Sequence, residues 1–296
     1  MIRIGTCSWT EKTLIQSGQF YPPEAKTAEA RLRFYANRFD TVEVDSTYYA
    51  IPDAKTAWLW DMRTQPGFTF HIKAYGALTG HGVDPRSLPK DVQGLVSHTN
   101  DSGYVYVKEP SALRMLAQRL IEALAPLKRS GKLGFLVFQF PPWFTRKTSN
   151  FDYILSCREM MDGLPIAAEF RHGSWLTTDK APSTFEFLRT HDITYVTADE
   201  PQYGNLSTIP FISQTTTGAA YFRLHGRNNE NWLKKGVETS LRYAYSYSDE
   251  ELAHFVPHVE DAEKKTKVTY AMFNNCHRNY AVANAMRLRE LLKKEE

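Results

Sequence analysis

Phe222-Arg223-Leu224-His225-Gly226-Arg227 brings two guanidinium groups and an imidazole to the end of an apolar run that starts at Gly218. Side chains alternate along a strand, so continued extension would put Arg223, His225 and Arg227 on one face. Buried cations are costly unless they are paired or meet an anion. The same pattern recurs in Val42-Glu43-Val44-Asp45, Phe70-His71-Ile72-Lys73 and Ala168-Glu169-Phe170-Arg171-His172. Glu169 and Arg171, two residues apart, suit a general acid or base whose protonation is set by a neighbouring guanidinium. The plainer alternative is a strand-end ion pair. His172 has the opposite parity and fits a structural or helix-capping role at least as well.

Strand-like runs at about 2–5, 41–44, 68–72, 135–140, 166–170, 193–197, 219–224 and 268–273 must position these groups. Helical periodicity falls between them. Leu32, Tyr35 and Phe39 make one stripe, and Leu113, Leu116, Leu120, Leu124 and Leu127 a longer one. Ser248 and Glu251 form a capping-box pair ahead of Leu252, Phe255 and Val259. A last helix over about 280–293 carries Ala285, Leu288 and Leu292. Eight strand–helix alternations favour an α/β fold of the closed parallel (β/α)8 TIM type over an open doubly wound sheet. Insertions at 74–109, 200–217 and 228–247 account for the extra length, and nothing divides residues 1–296, which read as a single domain.

In such a barrel the strand C-terminal ends converge on the active face. The expected assembly holds Cys7, Trp9, Glu43, Asp45, Lys73, Gln139, Glu169, Arg171, His172, Asp199, Arg223, His225, Arg227, Asn274, Asn275 and His277. A ring of salt bridges closing the barrel is the bland reading of this set; a site is the sharper one. Lys73, Arg171, Arg223 and Arg227 together suggest an anionic substrate held by charge clamps. Glu43, Glu169, Asp199 and His225 could ligate a divalent metal, which the neighbouring cations oppose, so no metal is assigned. Trp9, Tyr48, Tyr49, Trp143, Trp175 and Trp232 could stack on a base or sugar. Tyr243, Tyr245 and Tyr247 would share one face of an extended segment, as a lid or an edge strand. Cys7 and Cys276 end neighbouring strands, but Cys7 has no evident base beside it.

Composition excludes several classes. Hydrophobic residues make up 42% and charged residues 23%, which supports a packed core. The net charge of +3, from 36 basic and 33 acidic residues, does not by itself indicate nucleic acid. No run approaches the roughly 18 apolar residues of a membrane span, and no signal peptide is evident at Met1. Three cysteines suggest a reducing cytoplasm and no disulfide framework. No glycine-rich phosphate loop or dinucleotide fingerprint is present, so no cofactor is expected beyond the metal alternative.

The chain resembles the YecE-like family, domain of unknown function 72, over nearly its whole length. The resemblance rests on Ile4-Gly5-Thr6-Cys7-Ser8-Trp9, Phe20-Tyr21-Pro22, Phe39-Asp40-Thr41-Val42-Glu43-Val44-Asp45-Ser46-Thr47-Tyr48-Tyr49, Phe138-Gln139-Phe140-Pro141-Pro142, Glu169-Phe170-Arg171-His172 with Ser174-Trp175, Arg223-Leu224-His225-Gly226-Arg227 and Phe273-Asn274-Asn275. It implies a (β/α)8 barrel and a site, without a reaction. Two segments depart from the family's commoner pattern, Cys7-Ser8-Trp9-Thr10-Glu11-Lys12 and Leu78-Thr79-Gly80-His81.

The leading expectation is a hydrolase or lyase acting on an anionic substrate, a phosphoester above all, with nucleic acid one member of that class. Glu169 would be acid or base, with Asp199 or Glu43 its partner. Lys73, Arg171, Arg223 and Arg227 would hold charge, and His225, Gln139, Asn274, Asn275, Trp9 and Trp175 would line the substrate site. The alternatives are a glycoside hydrolase with paired carboxylates or a non-catalytic nucleic-acid or phospholigand binding module. Oligomeric state is not legible, and no membrane partner is expected.

Overall fold

A computed structural model describes residues 1–96 and 103–293. Residues 97–102, inside the 74–109 insertion, lie outside the described residues. Eight strands, β1 (Ile2–Thr6), β2 (Thr41–Val44), β3 (Thr69–Lys73), β4 (Leu133–Gln139), β5 (Ile166–Glu169), β6 (Thr194–Asp199), β7 (Ala219–Leu224) and β8 (Val268–Phe273), form one parallel sheet. Its order is β1-β8-β7-β6-β5-β4-β3-β2, a nearly closed (β/α) barrel.

No ladder pair joins β1 to β2 among the described residues; a side chain spans the seam instead. The buried Tyr35 hydroxyl accepts from Thr6 N at 2.9 Å and donates to Thr41 O at 3.1 Å. Gly5 permits this approach, since a Cβ there would lie 2.3 Å from Thr41 O.

Helices Ala28–Ala36, Ala54–Met62, Pro110–Ala123, Thr148–Met160, Ala181–Thr190, Asp249–Lys265 and Tyr280–Lys293 cover the outside. The Ser248–Glu251 capping box is formed, and Leu252, Phe255 and Val259 are buried as their spacing implies. Phe39 lies beyond the end of its helix, yet is buried. The leucine stripe is split at Leu124, before Pro126 starts a second short helix, Ala125–Arg129.

The expected eighth alternation is absent: no helix follows β6. Residues 200–218 are irregular, and the segment returns along the strand it left. The Thr216 hydroxyl accepts from Tyr195 N at 2.8 Å and donates to Ile193 O at 2.7 Å. Phe211 fills the space of the missing helix, 5.6 Å from the ring of Phe255. Pro201, Gly204 and Pro210 interrupt this stretch, which offers no continuous apolar helical stripe.

Two cores result. The larger lies between sheet and helices; the smaller fills the barrel with Phe135, Val137, Ala167, Val196, Tyr221, Tyr270 and Met272. The barrel is therefore solid below its C-terminal mouth. Among the described residues no helix is long and apolar enough to cross a membrane.

Candidate functional site

The strand register decides which groups meet. In a parallel sheet, paired residues project to the same side. Glu43 pairs with His71, Gln139 with Glu169, Ala198 with Arg223, and Arg223 with Met272, all on the barrel side. Glu43, Gln139, Glu169 and Arg223 thus close the interior in one polar layer above the apolar filling.

Arg223 is its centre and is 0% exposed. Its Nη2 donates to Glu43 Oε1 at 2.6 Å and its Nε to Glu43 Oε2 at 3.1 Å. Nη1 donates to Glu169 Oε2 at 2.5 Å and to Gln139 Oε1 at 3.0 Å. Tyr221 donates to Glu43 Oε2 at 2.8 Å from below. Burial alone would raise the Glu169 carboxyl, but Arg223, Arg171 and His225 outweigh it and hold the group well below the usual carboxylate range. Burial pushes Glu43 the other way, up to about 7; Arg223 opposes the rise and neighbouring Asp45 adds to it.

His225 is neutral, with burial and then Arg171 depressing its pKa to about 3. Asn274 Nδ2 donates to its Nδ1 at 2.8 Å, which leaves Nε2–H to donate to Glu169 Oε1 at 3.1 Å. Arg171 continues the network: its Nε lies 2.6 Å from Glu169 Oε1, and its Nη1 bonds the Glu200 carboxylate. Glu200 also accepts from Ile209 N at 2.9 Å, and burial raises it to about 7 against the pull of Arg171.

Several expected members lie elsewhere. Asp199 pairs with Leu224 in register and therefore faces outward. Both faces of β6 are buried, so no alternation of polarity marked the inward parity that belongs to Glu200. Arg227 leaves the Arg223–His225 face because the chain turns at Gly226, with φ +86°. It forks onto Asp199 at 2.8–3.1 Å, and Tyr247 donates to the same carboxylate at 2.7 Å. Asn275 binds Tyr245 O and Asn284, each at 2.8 Å, and serves as a loop bracket.

Trp175 is 0% exposed, stacked 4.3 Å from Phe170, and Trp9 is 6% exposed, edge-on to Trp60. Neither can stack on a ligand at the rim. His172 caps the turn after β5, accepting from Ser174 N at 3.2 Å. Tyr243 faces Arg171 and His225, whereas Tyr245 and Tyr247 turn toward Glu251 and Asp199. The three tyrosines therefore do not share a face. Among the described residues no three His, Cys, Asp or Glu side chains form a metal-holding group. The four ligands considered from sequence do not converge: Asp199 faces outward, and Arg223 occupies the space between Glu43 and Glu169.

Above the polar layer lies an open cleft of about 660 Å³, whose lining includes the cations Lys73 and Arg242, the acids Glu11, Asp45 and Glu238, and Tyr48, Tyr49, Gln139, Tyr243, Asn274 and Cys276. A side lobe of about 160 Å³ sits beyond Tyr243 against Arg171, Glu200 and Trp232. Lys73 Nζ is 4.7 Å above the Tyr48 ring, and neither Lys73 nor Arg242 has a carboxylate within ion-pair distance among the described residues. Arg242 instead donates to the carbonyls of Trp232 at 2.5 Å and Lys234 at 3.1 Å. Asp45 Oδ1 is buried without a hydrogen-bond partner, 3.6 Å from Arg223 Nη2. Burial raises the Cys7 and Cys276 thiols well above their usual range, which opposes a thiolate role. Arg242 was not anticipated, because it comes from the 228–247 insertion rather than a strand end.

A parallel barrel with a dense ionic layer under an open C-terminal cleft defines the class. Residues 3–296 match the family described as "Protein of unknown function DUF72", and the chain belongs to that family. It is 30% identical over 295 residues to the UPF0759 protein YunF of Bacillus subtilis (strain 168), covering 99% of this chain and 95% of that one. A DUF72 family protein of Enterococcus faecalis V583 superposes with a TM-score of 0.80 at 26% identity, covering 99% of this chain and 96% of the other. One from Thermotoga maritima MSB8 gives a TM-score of 0.76 at 30% identity, covering 99% of each chain.

Proposed function

We propose that this barrel protein is a hydrolase or lyase that takes an anionic substrate, a phosphoester above all, into the cleft at its C-terminal face. One observation carries the reading. Arg171, Arg223 and Arg227 are each neutralised by a carboxylate, whereas Lys73 and Arg242 share the cleft wall with Glu11, Asp45 and Glu238 but have no carboxylate within ion-pair distance among the described residues. Two such cations across one cavity favour an anion as counter-charge. The clamp is thus assigned to Lys73 and Arg242 rather than to the four cations considered from sequence.

The proton-handling group follows from the same geometry. Glu169 is fixed as an ion between Arg223, Arg171 and His225 and has no exposed edge. Asp45 lines the cleft beside Glu43, whose carboxyl holds its proton up to about 7. Asp45, the carboxylate nearest this layer that lines the cleft, takes the role of acid or base at the substrate, with Glu43 beside it. Gln139 and Asn274 offer neutral polar contacts on the cleft floor. A glycosidase working across Glu43 and Glu169 would need the scissile bond between them, and the Arg223 guanidinium fills that space.

Phosphate should raise the Tm of the wild type, increasingly with ligand over Kd. Lys73→Ala and Arg242→Ala should each abolish most of that shift. A screen of phosphomonoesters and phosphodiesters against Asp45→Asn then separates an enzyme from a binding module. An unshifted wild type at high phosphate refutes the clamp.

A further inference from the structure

A second hollow, of about 350 Å³, lies beside the cleft and is walled by Tyr106, Trp143, Phe144 and Tyr153. Trp143 is 59% exposed and Tyr106 40%, although most large rings in this protein are buried. His81 belongs to the wall between the two cavities. Its ring stands edge-on to Tyr48, 5.2 Å away on the cleft side, and to Trp143, 5.6 Å away in the hollow. A continuous run of contacts therefore leads from Lys73 through Tyr48 and His81 to Trp143.

The hydrogen bonds around His81 determine what its free edge offers. Thr79 Oγ1 lies 3.0 Å from Gly76 O and 2.8 Å from His81 Nδ1, and with its one proton directed at Gly76 O it accepts from Nδ1. In that arrangement Nδ1 carries the ring proton. Burial, with Lys73 and Arg171 nearby, holds the pKa at about 3, so the ring stays neutral. Nε2 is then a lone-pair acceptor, and it has no hydrogen-bond partner among the described residues. An aromatic wall with one fixed acceptor suits a flat ring that carries a donor.

We infer that this hollow is a second subsite of the cleft, taking a planar ring with an N–H or O–H donor that is joined through a short spacer to the anion held at Lys73 and Arg242. Trp143 and Tyr106 stack on the ring, and His81 Nε2 accepts its donor. The inference rests on the cleft reading for the anion, but the ring half can be tested without it.

Calorimetric titrations with AMP, adenosine and inorganic phosphate separate the halves. AMP joins a ring to a phosphate through one ribose, so it should bind at least tenfold more tightly than either fragment. Trp143→Ala should weaken AMP and adenosine roughly tenfold, the scale of one lost stacking partner, and leave phosphate unchanged. His81→Phe keeps the ring contacts, removes the acceptor, and should weaken the same two ligands. AMP binding no tighter than phosphate, or adenosine binding indifferent to Trp143, overturns the subsite. Adenosine that binds through Trp143 while phosphate fails to bind supports the ring site and refutes the anion clamp. The converse pattern, phosphate without adenosine, refutes the ring site and leaves the clamp standing.

Discussion

Replacing Arg223 with Met would withdraw the one cation lying between two fully buried carboxylates. Glu169 would keep Arg171 and His225, but Glu43 would keep the Tyr221 hydroxyl at 2.8 Å, the neighbouring Asp45 and, as its remaining cation, the more distant Lys73. Breaking a buried pair from one side costs about 3–5 kcal/mol, a large part of a typical stability of about 5–15 kcal/mol. Glu43 should respond by keeping its proton. Its carboxyl already sits near 7 in the folded protein, above about 4.3 for an unfolded chain, and losing Arg223 raises it further. A raised carboxyl pKa means that the folded state binds the extra proton. The loss in Arg223→Met, relative to wild type, should therefore be smallest near pH 5.5 and grow toward pH 8, by up to about 1.4 kcal/mol per unit. Urea unfolding at both pH values measures it. Adding Glu43→Gln removes the stranded charge, so the double variant should regain stability at pH 8 and lose the extra slope. A single variant within about 1 kcal/mol of wild type at pH 8, or a double variant no more stable than the single, would refute this reasoning.

His71 gives a pH effect of opposite sign. Burial holds its pKa at about 3 against about 6.5 unfolded, so stability is present above pH 6.5 and is lost as pH falls toward 3. His71→Asn retains an acceptor for Phe135 N, which donates to Nδ1 at 3.0 Å, and should flatten the stability profile by about 1.4 kcal/mol per unit below pH 6.5 in urea titrations. Gly226→Ala forces a side chain onto φ +86° and places Cβ 2.6 Å from Tyr245 Cβ, so it should lose more than about 1 kcal/mol by denaturant titration.

The barrel was legible because helical stripes fall between most of its strands, and because apolar strands end in charge where the mouth lies. The β2, β7 and β8 limits read from sequence coincide with the structure, and the others differ by one or two residues. Strand parity was harder. β6 is buried on both faces, so Asp199 and Glu200 were equivalent as sequence, and only the pairing of Asp199 with Leu224 turns one out and the other in. Arg223, His225 and Arg227 share one face only under continued extension; the chain instead turns at Gly226, and that turn takes Arg227 to Asp199 rather than to the cleft. Trp175 followed a strand end, as a rim residue would, but stacking between Phe144 and Phe170 buries it. The opposing carboxylates of Glu43 and Glu200 were invisible as partners, because ion pairing across a barrel joins residues far apart in sequence, Glu43 and Arg223 among them.

Crystals soaked in tungstate, a dense tetrahedral stand-in for phosphate, would test the cleft most directly. Anomalous density is expected between Lys73 and Arg242, above Gln139 and beside Asp45, and should vanish in Lys73→Ala crystals. A cleft without density at saturating tungstate, or density that persists unchanged in Lys73→Ala, would contradict the assignment of this mouth as an anion-binding active site.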